Sequence, residues 1–176
     1  MDDLNLDIRL EQSSDEPALS ALSAQAFGPG RFTRSAYRIR EGIAPIAPLC
    51  ITAWREGAIV GGIRFTAIAV GGKEGGLLLG PLVVDPTHSG QGIGRALIAA
   101  GLEGAKSQGF GFVLLVGDMP YYGRFGFVPV PPGQMTLPGP VDLARVLALE
   151  IAPGALAEMK GPVKGRRPKK LFVFDA

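Results

Sequence analysis

The sequence has one cysteine, one histidine and one tryptophan in 176 residues. A lone cysteine, Cys50, excludes an internal disulfide, so a reduced, cytoplasmic setting is the expectation. No apolar run approaches the roughly 20 residues that a membrane-spanning helix needs, because glycine or charge breaks the longest candidates. The opening Met1-Asp2-Asp3-Leu4 is acidic where a secretory signal is basic and then apolar. A surplus charge of one sign is also lacking. The formal net charge of +2 is too small to argue for nucleic acid. No membrane, nucleic acid or metal is therefore expected as a partner.

Apolar residues and glycine are plentiful. Hydrophobic residues make up 47% of the chain, enough for a packed core and too many for a disordered protein. The length suits one domain over 1–176, with a core at about 6–130 and an extension of its sheet at about 131–176. The 26 glycines follow no period, which excludes repeats and collagen. They mark turns and crowd into one loop. Positive charge collects late, at Lys160, Lys164, Arg166, Arg167, Lys169 and Lys170. This stretch reads as a solvated loop between two strands, or alternatively as a contact for phosphate.

Along the chain, Leu6–Leu10 alternates and reads as a first strand. Ser13, Ser14 and Asp15 offer an N-cap, with Pro17 in the first turn of a helix running to about Phe27. A second helix is expected over Thr33–Glu41, closed by Gly42. Leu49–Trp54 and Ile59–Val70 form a hairpin about Arg55-Glu56-Gly57. Gly71-Gly72 and Gly75-Gly76 flank a second turn, which includes Glu74 and leads into Leu77–Val84. A glycine loop, a helix over about Ile93–Gln108 and a strand Phe112–Val116 follow. Strand, helix and strand in that order predict a right-handed crossover and a parallel pair. The fold class is α/β: a mixed, mostly antiparallel central sheet with helices on both faces. A short helix capped by Asp118, a proline-rich passage at Val128–Pro140, a strand near Val146–Ile151 and an apolar strand Leu171–Phe174 complete the chain. That last strand offers a route to a homodimer, by completing a neighbour's sheet.

The most informative stretch runs from Leu82-Val83-Val84 through Asp85-Pro86-Thr87-His88 to Ser89-Gly90-Gln91-Gly92-Ile93-Gly94-Arg95. A buried strand ends, alternating glycines follow, and a helix begins. The first amides of a helix lack internal partners, and its dipole favours negative charge there. Glycine removes the Cβ atoms that would hold a phosphate off the backbone. The loop is thus an anion cradle. A dinucleotide fingerprint fails, because its third glycine position falls on Arg95 or Leu97. A phosphate loop of the Gly-Lys-Ser/Thr kind fails as well. Asp118, after the next strand, keeps a nucleotide-binding alternative open.

These residues resemble the acetyl-CoA signature of the GNAT N-acetyltransferases, Gln/Arg-x-x-Gly-x-Gly/Ala, with Gly92 and Gly94 as its glycines. Tyr121-Tyr122-Gly123-Arg124-Phe125-Gly126-Phe127 resembles a second element of that family, and the sequence is similar to its YhbS-type bacterial group. The resemblance implies acetyl-CoA as acyl donor and an amine on a small molecule or peptide as acceptor. It implies that the backbone of Leu82, Val83 and Val84 pairs with pantetheine. Ser89, Gly90, Gln91, Gly92, Ile93, Gly94 and Arg95 would hold the pyrophosphate. Ser89 departs from the signature's Gln or Arg, leaving a hydroxyl and the amides. Tyr122 falls where the family's general acid meets the coenzyme sulfur, and a phenol of pKa about 10 is protonated at neutral pH. Packing of the short helix would also account for Tyr122, and Tyr121 reads as core or rim.

No carboxylate on Leu77–Val84 offers itself as a base. His88 shows no partner at a recognisable spacing and reads as a solvent-facing loop residue. Cys50 reads as core. Arg31, Arg34 and Arg38, with Tyr37 beside them, form either a solvated helical face or a cationic mouth for an acidic acceptor. Arg64 alternates with apolar neighbours and could point into the cleft. A sensor that binds acyl-CoA without turning it over is the alternative to an enzyme.

Overall fold

The computed structural model describes residues 5–28 and 34–167. Alternation of apolar and polar positions marks β1 (Asp7–Leu10), while mostly apolar, buried runs build β2 (Ile51–Arg55), β3 (Ala58–Val70) and β4 (Lys73–Val84). Each pairs antiparallel with the next. The turn between β2 and β3 puts Glu56 at φ 51° and Gly57 at φ 76°. Two left-handed residues match the twist of a tight hairpin.

After β4 the chain crosses over through α3 (Ile93–Ser107) to β5 (Phe112–Val116), which lies parallel to β4. β6 (Val128–Pro129), β7 (Met135–Thr136), β8 (Val146–Glu150) and β9 (Gly161–Gly165) are the other strands among the described residues. These residues form a nine-stranded mixed sheet with a parallel crossover from β4 to β5 at its centre, the fold class read from the sequence.

Helices cover both faces. On one side α3 sets Ile93, Leu97 and Ile98 against Ile63 and Phe65 of β3. On the other, α1 (Glu16–Phe27) packs on β3 and β4, and α2 (Ser35–Arg40) contributes Ile39 to a second cluster. β5 shows the period-two logic of a strand buried on both sides. Its Val113 and Leu115 face the first cluster, while Phe112 and Leu114 face the second. No helix among the described residues is long and apolar enough to cross a membrane.

Three local expectations change. The turn before β4 is Gly71-Gly72, so Glu74, Gly75 and Gly76 lie in the strand, where Gly76 makes room for the Phe112 ring. The late basic stretch is not simply a solvated loop. Gly161–Gly165 pairs antiparallel with β3 and buries Val163, and Lys160, Lys164 and Arg166 point outward around it. The second helix occupies only Ser35–Arg40. Thr33, Arg31, Lys169, Lys170 and Leu171–Phe174, with the dimer contact read into that strand, lie outside the described residues.

Leu97 is fully buried between α3 and the sheet. Leu97→Ala is expected to cost about 2–5 kcal/mol. Urea unfolding would show this as a lower midpoint at unchanged slope, and a cost below about 1 kcal/mol would mean that α3 is not a core element.

Candidate active site

β4 and β5 pair only at Gly76–Phe112, Leu77–Val113 and Leu78–Leu114, although both strands continue. Beyond Leu78, β4 stays with β3 and parts from β5. The parting coincides with a bulge. Ile63 pairs with Leu82 and Phe65 with Leu79, so Arg64 alone faces Gly80 and Pro81. An extra residue on one strand bends that strand and breaks its ladder, and a proline there removes one donor that the ladder would have needed. The edge of β4 from Leu79 to Val84 therefore carries backbone groups with no strand beside them. A cleft of about 760 Å³ opens between it and the Leu115–Asp118 end of β5.

Of the residues singled out in the sequence, Leu82, Val83 and Tyr122 line this opening, Val84 ends β4, and Ser89 to Arg95 lie beyond it. Leu82 and Val84 turn toward α3 and are half-buried, while Val83 is buried on the α1 side. Asp85 then caps a short 3-10 turn (Pro86–His88), accepting from the Thr87 amide at 3.0 Å and its hydroxyl at 2.9 Å. These bonds, the amide first, hold the Asp85 carboxyl below its usual range. His88 does have partners, contrary to the sequence reading. Its Nδ1 stands 3.1 Å from Thr87 Oγ1 and 3.5 Å from Asp85 Oδ2. The 3-10 turn creates that juxtaposition, which linear spacing did not reveal.

The Ser89 amide is engaged, donating to the Pro86 carbonyl at 3.3 Å. From Gly90 to Arg95 the amides make no hydrogen bond with any described residue, and the ladder resumes at Ala96, which donates to Gly92. Gly90 and Gly92 sit at φ 78° and 81°, a backbone that other residues adopt only under strain. Gln91 accepts a hydrogen bond from Arg55 at the end of β2. Ile93 is buried in the core and anchors the helix start, and Arg95 is exposed.

The second element folds as α4 (Met119–Tyr122) and a 3-10 turn over Gly123–Phe125, ended by Gly126 in the left-handed region. Tyr122 lies against Gly117, where a Cβ would come 2.4 Å from its ring, and packs edge-on to the buried Phe127 at 5.9 Å. Its hydroxyl bonds to no described residue. Burial, then the neighbouring Tyr121 and Asp118, pushes its pKa up to about 12. Tyr121 is partly buried at the rim of the first core cluster, as read from the sequence. Its hydroxyl stands over the first turn of α3, where a Cβ on Gly94 would lie 2.4 Å away, and Arg124 covers its ring at 5.1 Å. Loop and tyrosine block thus meet in space.

The acceptor side of the cleft was less legible. Arg64 does line it, clasped by Glu11 and Glu16, and these contacts, Glu11 first, raise its pKa. Arg34 and Arg38 do not form one cationic mouth. Arg34 sits over Phe27 at 5.2 Å, while Arg38 packs at Gly139. Tyr37 and Arg40 face the cleft instead, three residues apart on α2. Every carboxylate lining the cleft already carries a partner. Glu11 and Glu16 bind Arg64, Asp118 binds Arg145 at 3.2 Å, and Asp142 accepts the Ala144 amide at 3.0 Å. Cys50 is buried and donates to the Ile46 carbonyl at 3.3 Å.

A parted parallel pair that leads into a glycine-started helix with free amides defines the acetyl-coenzyme A fold class. The profile of the Acetyltransferase (GNAT) family matches residues 17–127, from α1 through the tyrosine block. The chain belongs to the GNAT family of N-acetyltransferases. It is 31% identical to the N-acetyltransferase YhbS of Escherichia coli strain K12 over 121 residues, 68% of this chain and 72% of that protein. It is also 31% identical to YjhQ of the same strain over 137 residues, 76% and 75% of the two chains. The crystal structure of Escherichia coli YhbS in complex with CoA superposes with a TM-score of 0.79 at 26% identity, over 93% of this chain and 91% of that one. A Brucella melitensis GNAT acetyltransferase in complex with acetyl-CoA gives 0.65 at 27%, over 92% and 93%.

A phenol that stays protonated to higher pH when folded contributes stability that is full below the unfolded value near 10 and is lost as pH rises toward 12. Absorbance at 295 nm should show one tyrosine ionising near pH 12, absent in Tyr122→Phe. Unfolding free energy should fall by roughly 1–2 kcal/mol between about pH 10 and 12 in the wild type and less in the variant. If Tyr122 ionises near pH 10, its ring is not in the buried position described.

Proposed function

We propose that the chain, acting as a single domain, transfers an acetyl group from acetyl-CoA to a primary amine, and that Tyr122 is its general acid. The observation that carries this reading is the opening between β4 and β5, with free amides at one end and the unpartnered Tyr122 hydroxyl on its wall. In this proposal the exposed backbone edge at Leu82, Val83 and Val84 takes the pantetheine arm as a missing strand would. The amides of Gly90, Gln91, Gly92, Ile93, Gly94 and Arg95 hold the pyrophosphate at the positive end of α3, with the Ser89 hydroxyl beside them. The relatives crystallised with CoA and acetyl-CoA support the choice of donor. A small-molecule or peptide amine is the acceptor, and the cytoplasm the setting.

The step makes a bond from the amine nitrogen to the thioester carbonyl carbon and breaks the carbon–sulfur bond. Tyr122 gives its proton to the departing sulfur and regains one from solvent, and the amine loses its own proton to solvent. In water a phenol near 10 and a thiol near 8.5 differ by about 1.5 units. Burial pushes the Tyr122 phenol up to about 12, so it stays protonated in the resting site and gives up its proton as charge builds on sulfur.

Acetyl-CoA turnover on a panel of amines, followed by free thiol release, tests the reading. Tyr122→Phe is expected to lower kcat by about 10²-fold or more at unchanged acetyl-CoA affinity. Binding of acetyl-CoA with no amine consumed, and identical behaviour of the variant, would leave a sensor in place of an enzyme. Failure to bind acetyl-CoA would return the loop to a nucleotide.

A further inference from the structure

Four arginines line the cleft: Arg34, Arg40, Arg64 and Arg145. Arg64 is neutralised by Glu11 and Glu16, and Arg145 by Asp118. Arg34 is exposed and lies over the Phe27 ring. Arg40 differs from all three. It is half-buried, forms no ion pair or hydrogen bond through its guanidinium with any described residue, and has the Tyr37 ring 5.9 Å away and the like charge of Arg64 nearby. Burial lowers its pKa to about 10, with no carboxylate among the opposing causes.

An unneutralised cation in a half-closed site is costly unless something completes it. The C-terminal end of α2 supplies part of that compensation through its dipole. Water in the open cleft supplies some of the rest, and an anionic ligand that displaces this water would supply it in full. Arg40 Nη1 stands 2.9 Å from the point where a side chain on Gly80 would begin. Gly80 lies in the bulge where β4 leaves β5, so the guanidinium is set against the stretch of cleft that the acyl group and its acceptor would share. The charge nearby has a polarity as well. Two carboxylates clasp the single guanidinium of Arg64, leaving a negative surplus on that wall, while Arg40 is positive. An acceptor with an ammonium at one end and an anion at the other fits both. One free guanidinium balances one negative charge, and its planar fork matches a carboxylate.

We propose that Arg40 is a specificity residue that binds the carboxylate of the acceptor, so that the enzyme selects amino acids and other carboxylate-bearing amines over uncharged amines. The inference rests on the acetyl-transfer reading above. The variants are Arg40→Gln and Arg40→Lys, and the probes are matched pairs of amino acids and their carboxamides.

Wild type is expected to favour the free carboxylate by at least about 10-fold in kcat/KM, since a hydrogen-bonded charged group is worth this much or more. Arg40→Gln should bring that ratio to about 1 through KM, with the carboxamides and acetyl-CoA affinity unaffected, and Arg40→Lys should restore part of it. A wild-type ratio near 1, or a ratio that survives in Arg40→Gln, overturns the proposal. Equal loss on both members of every pair overturns it too, and assigns Arg40 to the acyl donor. Calorimetric titration with the same amino acids and carboxamides separates this from the parent reading. If acetyl-CoA is not turned over, carboxylate-selective binding that Arg40→Gln abolishes still upholds the role of Arg40, and equal binding of both members sinks it.

Discussion

The structure depends on how the parting strands satisfy their backbone. Every buried amide and carbonyl needs a partner, and a parallel pair normally supplies them along its whole length. Here the pairing of β4 with β5 stops after Leu78 and Leu114. The bulge opposite Arg64 turns β4 aside, and Pro81 removes a donor where the ladder ends. Water can solvate the exposed edge, and a ligand with amide groups can pair with it. The rest follows from that opening. α3 must start where β4 ends, which aims its free amides at the mouth of the cleft, and the turn after β5 must bring the tyrosine block to the other side.

Much of this was legible in the sequence, because it is local. Alternation located β1, apolar and β-branched runs located β2 to β5, the Gly90–Gly94 run announced a helix start, and Asp118 marked the start of the short helix in the tyrosine block. What escaped is what depends on distant pairing. β9 hides among lysines because only Val163 turns inward, and it becomes a strand only when β3 lies alongside. Arg64 finds Glu11 and Glu16 across 53 and 48 residues of chain. Tyr121 gains its place from the glycine at 94, which no feature of its own segment reveals. Arg40 was overshadowed by the regular spacing of Arg31, Arg34 and Arg38, although the described Arg34 and Arg38 point to different places. The spacing of Tyr37 and Arg40 on one face of a short helix was the available signal.

Burial acts in opposite senses on three ionisable groups of the protein, two in the cleft and one in the core. It keeps Tyr122 protonated and Cys50 a thiol, and it makes the charge on Arg40 harder to carry. The first two are stable as neutral groups. The third is a cation that the fold leaves half-closed and unanswered, while every carboxylate nearby is already engaged.

The hydrogen bond from Arg55 to Gln91 has a counterpart in the Asp85 cap on Thr87. One ties the glycine loop to the β2–β3 hairpin, and the other braces the turn that precedes it. Glycines forfeit more conformational freedom than any other residue when a loop is ordered. These flanking bonds take up that loss when the chain folds, not when a ligand arrives. The loop is therefore held in its conformation by the folded chain, and a ligand that met it there would spend little free energy on ordering it.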